Sequence, residues 1–271
     1  APMTNDTTRL DSDSSGETAY DVVVVGAGFS GLYLLHRLRD ELGLSVTVVE
    51  KADDVGGTWY WNRYPGARCD SESHVYCYSF DEEILDEWKW SKRYPEQPEI
   101  LEYLRFVADR LDLRPDIDFG TEVTGATFDE DAGEWVVRTD DGSSVTCQFF
   151  VPAVGCLSKP FVPDFEGIDT FEGETYHTAK WPHDPVDFED KHVGVVGTGA
   201  TGIQVIPKVA TRADHLTVFQ RTPNYAVPAR DRPLDDEDWA EIQEHYDDIM
   251  EKRRRTSGGY PFASARETAE D

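Results

Sequence analysis

The stretch YDVVVVGAGFSGLYLLHRLRDELGLSVTVVE, Tyr20 to Glu50, decides the fold. Tyr20–Val25 is a β-branched run of the kind carried by a strand buried on both faces. Phe29–Leu42 then places apolar residues at 32, 34, 35, 38 and 42, a helical recurrence, and Leu44–Val49 is apolar and β-branched again. These three segments predict a β-α-β unit. The turn between its first strand and its helix reads Gly26-Ala27-Gly28-Phe29-Ser30-Gly31, a G-x-G-x-x-G motif in the context that motif needs. Its glycines permit a tight turn, close backbone approach to a pyrophosphate and close helix packing, and the helix N-terminus turns unpaired N–H groups toward phosphate. Glu50, nineteen residues after Gly31 and at the end of the second strand, stands where a carboxylate accepts hydrogen bonds from ribose hydroxyls. Together these features predict a dinucleotide site.

The same device recurs downstream. His192–Val196 reads as a strand, Gly197-Thr198-Gly199-Ala200-Thr201-Gly202 as a second glycine turn, Gly202–Ala210 as the helix that follows and His215–Phe219 as the next strand. That strand runs into Gln220-Arg221-Thr222 and presents no acid; Arg221 occupies the neighbourhood instead. A carboxylate there would repel a 2′-phosphate, whereas a guanidinium offers it a planar, charge-assisted donor fork, so NADPH is favoured over NADH. A solvated surface charge is the alternative reading of Arg221. Two dinucleotide sites in one chain serve a cofactor that reduces another, which points to a flavoprotein holding FAD at the first turn and reduced by NADPH at the second.

Between the two units, apolar residues at Ile100, Leu104, Val107 and Leu111 predict a helix over Gln97–Leu113. The pattern becomes strand-like from Ile117 to Val151: an alternating segment around Thr121–Phe128, then Glu134–Thr139 and Ser143–Val151 joined at Asp141-Gly142. This predicts a small antiparallel meander inserted before the next parallel strand. Proline and glycine from Gly155 to Gly167 mark a linker, and Asp235–Arg254 is polar and helical. The expected fold class is therefore α/β, with two dinucleotide-binding, Rossmann-like three-layer domains. The expected division is a disordered polar leader at 1–18, an FAD-binding domain at 19–155, a linker at 156–191 and an NADPH-binding domain at 192–271 with the start of a helical insertion.

Composition narrows the partners. Of the 271 residues 26 are basic and 54 acidic, a formal charge of −28, so nucleic acid and anionic membrane are not expected as partners. The acids are spread along the whole chain, as in a protein selected to stay hydrated at high salt, and a halophilic origin is the expectation. Cys69, Cys77, Cys147 and Cys156 show no C-x-x-C spacing, no metal-ligating constellation is evident, and no signal-peptide pattern opens the sequence; a reducing, cytoplasmic setting follows. No apolar run approaches the ~20 residues that a membrane span needs.

Phe171-x-Gly173-x-x-x-His177-x-x-x-Trp181-Pro182 resembles the F-x-G-x-x-x-H-x-x-x-W-(P/D) fingerprint of type I Baeyer–Villiger monooxygenases. Gly57-x-Trp59 with Tyr64-Pro65-Gly66 and Asp70 resembles their second signature, and Gln220–Pro223 through Val227–Arg230 is similar to their nicotinamide-side segment. The likeness runs from about Tyr20 to Pro233 and leans to the phenylacetone and steroid monooxygenase branch. It implies oxygenation of a ketone by O2 to an ester or lactone through a flavin C4a-peroxide. It also implies flavin contacts at Ser30, Glu50, Thr58, Trp59, Asp70, Tyr76 and the backbone of Val123, beside the first glycine turn, and nicotinamide contacts at Arg68, Cys69, Asp70, Thr198, Gly199, Ala200, Thr201, Gly202, Ile203, Gln204, Arg221 and Thr222. Tyr60, Trp61 and Tyr64 stay ambiguous between core and site. His177 is expected to order the linker rather than transfer a proton, and Trp181 to anchor packing. Asp70 matches the family's catalytic aspartate, whose partner arginine is expected downstream of this sequence; Arg63 and Arg68 match other positions. The family's members are longer than this sequence, so both domains are expected to be incomplete here. An N- or S-oxygenating flavoprotein and a non-catalytic dinucleotide-binding fragment are the rival readings.

Overall fold

A computed structural model of the chain describes residues 19–256. The polar leader expected at 1–18 and the last part of the segment expected at 192–271 lie outside the described residues.

In chain order the elements are β1 (Tyr20–Val25), α1 (Phe29–His36), β2 (Val46–Glu50), α2 (Thr58–Trp61), α3 (Glu82–Glu87), α4 (Gln97–Arg110), β3 (Ile117–Phe119), β4 (Val123–Asp129), β5 (Glu134–Thr139) and β6 (Ser144–Pro152). They continue with β7 (His192–Val196), α5 (Ala200–Ala210), β8 (His215–Phe219), α6 (Asp236–Glu244) and α7 (Tyr246–Arg255). The described residues divide into two compact units, the first holding residues 19–64 and Ile100–Val186, the second Pro65–Glu99 and residues 187–256.

The first unit is built on a six-stranded sheet in the order β3-β2-β1-β6-β5-β4. β1 pairs in parallel with β2 and with β6, and β2 with β3, while β5 runs antiparallel to both β4 and β6. The meander is thus not inserted ahead of a parallel strand: its own third strand, β6, is the parallel partner of β1, with Val22 opposite Phe149 and Val24 opposite Val151. The uninterrupted apolar character of β1 and β2 follows from this central position. Val22, Val23, Val24, Val48 and Val49 are buried, whereas no residue of the edge strand β4 is fully buried. α1 does not run straight to Leu42; its last turn widens into a π-helical turn over Arg37–Glu41 and stops where Gly43 takes φ +68°. Arg39 fixes this end, donating to the Leu111 and Asp112 carbonyls and to Asp116 at 2.6 Å.

The second unit holds the parallel pair β7·β8, in the register His192↔His215 to Val196↔Phe219. The helical stretch expected over Asp235–Arg254 is broken at His245 into α6 and α7. Residues 65–99 join this unit rather than the flavin-side segment to which a contiguous division assigns them. The reason is main-chain stitching: Arg93 N–H donates to the Arg232 carbonyl at 3.0 Å, Leu234 N–H to Ser91 at 3.0 Å, and the Trp239 indole to the Trp90 carbonyl at 3.2 Å. By the same division residues 156–186 of the expected linker go with the first unit.

Candidate functional site: two glycine cradles

In the first unit β1 delivers the chain into Gly26, whose N–H donates to the Val49 carbonyl at 2.9 Å. A Cβ on Gly31 would stand 1.8 Å from the Gly26 carbonyl oxygen, so the third glycine of the motif is required for α1 to approach the turn. Gly28 and Gly57 pack backbone on backbone, a Cβ on Gly57 standing 2.9 Å from the Gly28 Cα. This contact brings the Gly57-Thr58-Trp59 signature against the cradle. Glu50 is 4% exposed and accepts from Ala27 N–H at 2.7 Å and Ala52 N–H at 2.8 Å. It therefore braces the cradle backbone, a role its position alone did not suggest, and a carboxylate with about four lone-pair directions retains capacity for hydroxyl donors.

α1 begins at Gly28 with no side-chain cap and no acid in its first turn. α5 begins at Gly199 in the same way. By contrast α6 has a capping box on Asp235 and three acids in its first turn, and α3 is capped by Asp81. In a chain of net charge −28, two helices of eight or more residues that leave their N-terminal N–H groups uncapped and acid-free behind glycine turns are suited to an anion.

The second cradle repeats the geometry. A Cβ on Gly202 would meet the Gly197 carbonyl oxygen at 2.4 Å, while one on Gly199 would meet nothing within 4 Å. The Thr198 hydroxyl is buried in this turn without a hydrogen-bond partner among the described residues, a donor left for a ligand. Gly197 N–H donates to the Phe219 carbonyl at 2.9 Å, which ties the turn to the end of β8 and sets exposed Arg221 and Thr222 in the segment just beyond it. By this register Gln220 takes the place that Glu50 holds at the first cradle, and the cation Arg221 follows it.

Other expected residues are distributed between the units. Thr58, buried Trp59 and Val123, at the start of β4, belong to the first unit with Ser30, which is exposed on α1. Asp70 and half-buried Tyr76 belong to the second with Arg68 and Cys69. There the Gly66–Asp70 loop lies on α5, a Cβ on Gly66 standing 2.5 Å from the Gln204 carbonyl oxygen. Gln204, 5% exposed, donates from Nε2 to the Arg68 carbonyl at 3.1 Å and to Asp70 Oδ1 at 3.0 Å, and accepts from Arg68 N–H at 3.3 Å. Burial pushes the neighbouring Cys69 thiol pKa up, which keeps it an unreactive thiol.

The ambiguous aromatics are partly resolved. Tyr60 and Tyr64 are buried, and the Tyr60 hydroxyl donates to Asp53 at 2.5 Å, burial and that carboxylate together raising its pKa. Arg63 lies over the Tyr60 ring and donates to His183 Nδ1 at 2.9 Å, so it is engaged in holding the segment after Trp181. In the fingerprint, His177 Nδ1 accepts from Ala179 N–H at 3.1 Å, which leaves Nε2 to donate to the Phe161 carbonyl at 3.3 Å. Its ring thus bridges Phe161 and Ala179. A Cβ on Gly173 would stand 2.6 Å from the Phe171 ring, and Tyr176 stacks near Trp181 at 5.6 Å, so the fingerprint residues pack on one another.

Two features had no local signal in the sequence. Glu72, buried, accepts from Arg93 Nε at 2.6 Å and lies 3.5 Å from His74, whose own pKa is lowered by burial. The Gln204 clamp is the other, formed across 134 positions. Among the described residues no group of three or more His, Cys, Asp or Glu could hold a metal ion, and no helix is long and apolar enough to cross a membrane.

Comparison with known proteins agrees with this geometry. Residues 19–230 match the family model described as flavin-binding monooxygenase-like. A Baeyer-Villiger monooxygenase of Pseudooceanicola batsensis is 50% identical over 251 residues, which are 93% of this chain and 46% of that protein. A phenazine N-monooxygenase of Lysobacter antibioticus is 46% identical over 91% of this chain and 45% of its own length. Among solved structures, an oxidized steroid monooxygenase bound to NADP superposes with a TM-score of 0.85 at 55% identity, over 90% of this chain and 46% of that one. The chain spans about half the length of the curated relatives it matches. With both glycine cradles inside the matched span, the chain belongs to the flavin-binding monooxygenase-like family.

Proposed function

We propose that this chain carries the FAD and NADPH cradles of a monooxygenase that oxygenates a ketone to an ester or lactone. The observation that carries the reading is the pair of uncapped, acid-free helix N-termini behind glycine turns, one followed by Glu50 and the other by Arg221. α1 would hold the FAD pyrophosphate and Glu50 a ribose hydroxyl; α5, with the Thr198 hydroxyl, would hold the NADPH pyrophosphate, and Arg221 and Thr222 its 2′-phosphate. Bound FAD supplies the redox chemistry, accepting hydride from NADPH and activating O2. The protein's part is to bind both dinucleotides, to orient them and to keep water from the reacting atoms. Trp59 is buried, and exposed Asp70 presents a carboxylate held on one oxygen.

The relatives' names support ketone oxygenation, and the phenazine N-monooxygenase keeps N-oxygenation as a second reading. Anaerobic titration of the flavin-loaded chain with NADPH and with NADH, followed by flavin absorbance, tests the cofactor reading. Bleaching by NADPH at concentrations where NADH is ineffective is expected, and equal bleaching by both removes the Arg221 assignment. Ester against N-oxide products then separates the two oxygenations.

A further inference from the structure

We propose that Gln204 is not a nicotinamide contact but the positioning residue of Asp70, an inference that rests on the function proposed above. Its side-chain amide has two N–H donors, and the structure commits one to the Arg68 carbonyl at 3.1 Å and the other to Asp70 Oδ1 at 3.0 Å. Its carbonyl oxygen accepts from Arg68 N–H at 3.3 Å, so the amide reads both main-chain groups of Arg68 and the carboxylate two residues on. That pattern fixes the amide's orientation, because the reversed amide would set an oxygen against the carboxylate and an NH2 against Arg68 N–H. A nicotinamide could claim either donor only by displacing one of these bonds.

The clamp acts on a loop that is otherwise braced through its main chain. Cys69 N–H donates to the Pro95 carbonyl at 3.0 Å, Gln97 N–H to the Ala67 carbonyl at 2.9 Å, and Ser73 N–H to the Arg93 carbonyl at 2.7 Å. These bonds set where the Asp70 Cα lies but not where its carboxylate points. Asp70 is exposed and Gln204 is buried, so the bond reaches from α5 out to a side chain that would otherwise rotate freely in water. With Oδ1 held, the carboxylate's remaining acceptor directions are presented in one orientation.

Two readouts on the flavin-loaded protein test this. In the first, side-chain amide resonances of 15N-glutamine-labelled protein are followed through a pH titration. The Gln204 amide is expected to shift as Asp70 protonates and to lose that dependence in Asp70→Asn; an amide indifferent to both overturns the proposal. The second is a double-mutant cycle, made in the full-length protein, on oxygenated product formed per NADPH consumed. Gln204→Glu, which sets a carboxylate against Asp70, and Asp70→Asn are each expected to lower this ratio by roughly fivefold or more. The double variant is expected to be no worse than the poorer single, with the NADP+ dissociation constant changed by less than about twofold in Gln204→Glu. A loss of NADP+ affinity of about tenfold or more in Gln204→Met, additive with Asp70→Asn, overturns the proposal and returns Gln204 to the nicotinamide. If the unsubstituted full-length protein oxygenates no ketone, the proposed function fails, while the amide titration still decides the Gln204–Asp70 pairing.

Discussion

Gly199 and Gly202 lie in the same turn and differ in what surrounds them. A Cβ at Gly202 would collide with the Gly197 carbonyl, whereas one at Gly199 would enter open space on a backbone at φ −70° that any residue adopts. The two substitutions therefore separate fold from ligand. Gly202→Ala is expected to destabilise the protein by about 1–3 kcal/mol through forced backbone movement. Gly199→Ala is expected to leave stability within about 0.5 kcal/mol, yet to weaken NADPH binding because the methyl fills the space a pyrophosphate would take. Urea unfolding of both variants beside NADP+ titration checks this, and unchanged affinity in Gly199→Ala would remove the second cradle from the nucleotide reading. The glycines were legible in the sequence because their spacing is local. Glu50 was only half legible: its place at the strand end suggested a ribose contact, but its bonds to Ala27 and Ala52 depend on how the turn folds back over the strand.

Among the elements, α4 illustrates how a helix is locked to a loop. Asp54, in the loop after β2, receives Arg105 from α4 at 2.6 Å and Arg114 from just beyond it at 2.9 Å. Burial alone would raise its pKa, but Arg114, Arg105 and the Val55 N–H outweigh burial and hold the carboxyl below its usual range. A depressed carboxylate pKa contributes stability that is present above the unfolded value of about 3.9 and is lost as pH falls through the folded value. Asp54→Asn is therefore expected to cost about 1 kcal/mol at pH 7, since both arginines are partly exposed. The difference from the unsubstituted protein should shrink as pH drops below about 4, as measured by urea midpoints across that range; a pH-independent difference would rule the ion pairs out as its source. The long periodic elements β1, α1, β7 and α5 were evident from pattern. β3 was not named as a separate strand, because three residues carry no period of their own and owe their state to pairing with β2. The π-helical turn closing α1 was equally hidden, since it depends on Arg39 reaching a segment more than 70 positions away.

At the scale of the whole molecule, the −28 charge sets the terms. Like charges along one chain repel one another, and salt screens them over a Debye length of about 10 Å at 0.1 M and about 3 Å at 1 M. Melting temperature is expected to rise from dilute buffer to molar KCl. A flat or falling curve would show that the acids are neutralised locally, as in the Arg39–Asp116 and Arg114–Asp109 pairs, and would withdraw the expectation of a high-salt origin. The division into units was the least legible property at this scale. Pro65–Glu99 follows the first cradle in sequence, but main-chain groups of Trp90, Ser91, Arg93 and Tyr94 bond to residues 231–239, and nothing in its composition announces partners so distant. The acid-free first turns of α1 and α5 bear on this charge too. A dinucleotide is a polyanion, and it must cross the repulsive field of the surrounding acids before it meets either small island of donors. Repulsion then slows encounter rather than escape. Added salt should hasten arrival while leaving departure, governed by short hydrogen bonds, nearly untouched, so both cradles would fill faster in brine than in dilute buffer.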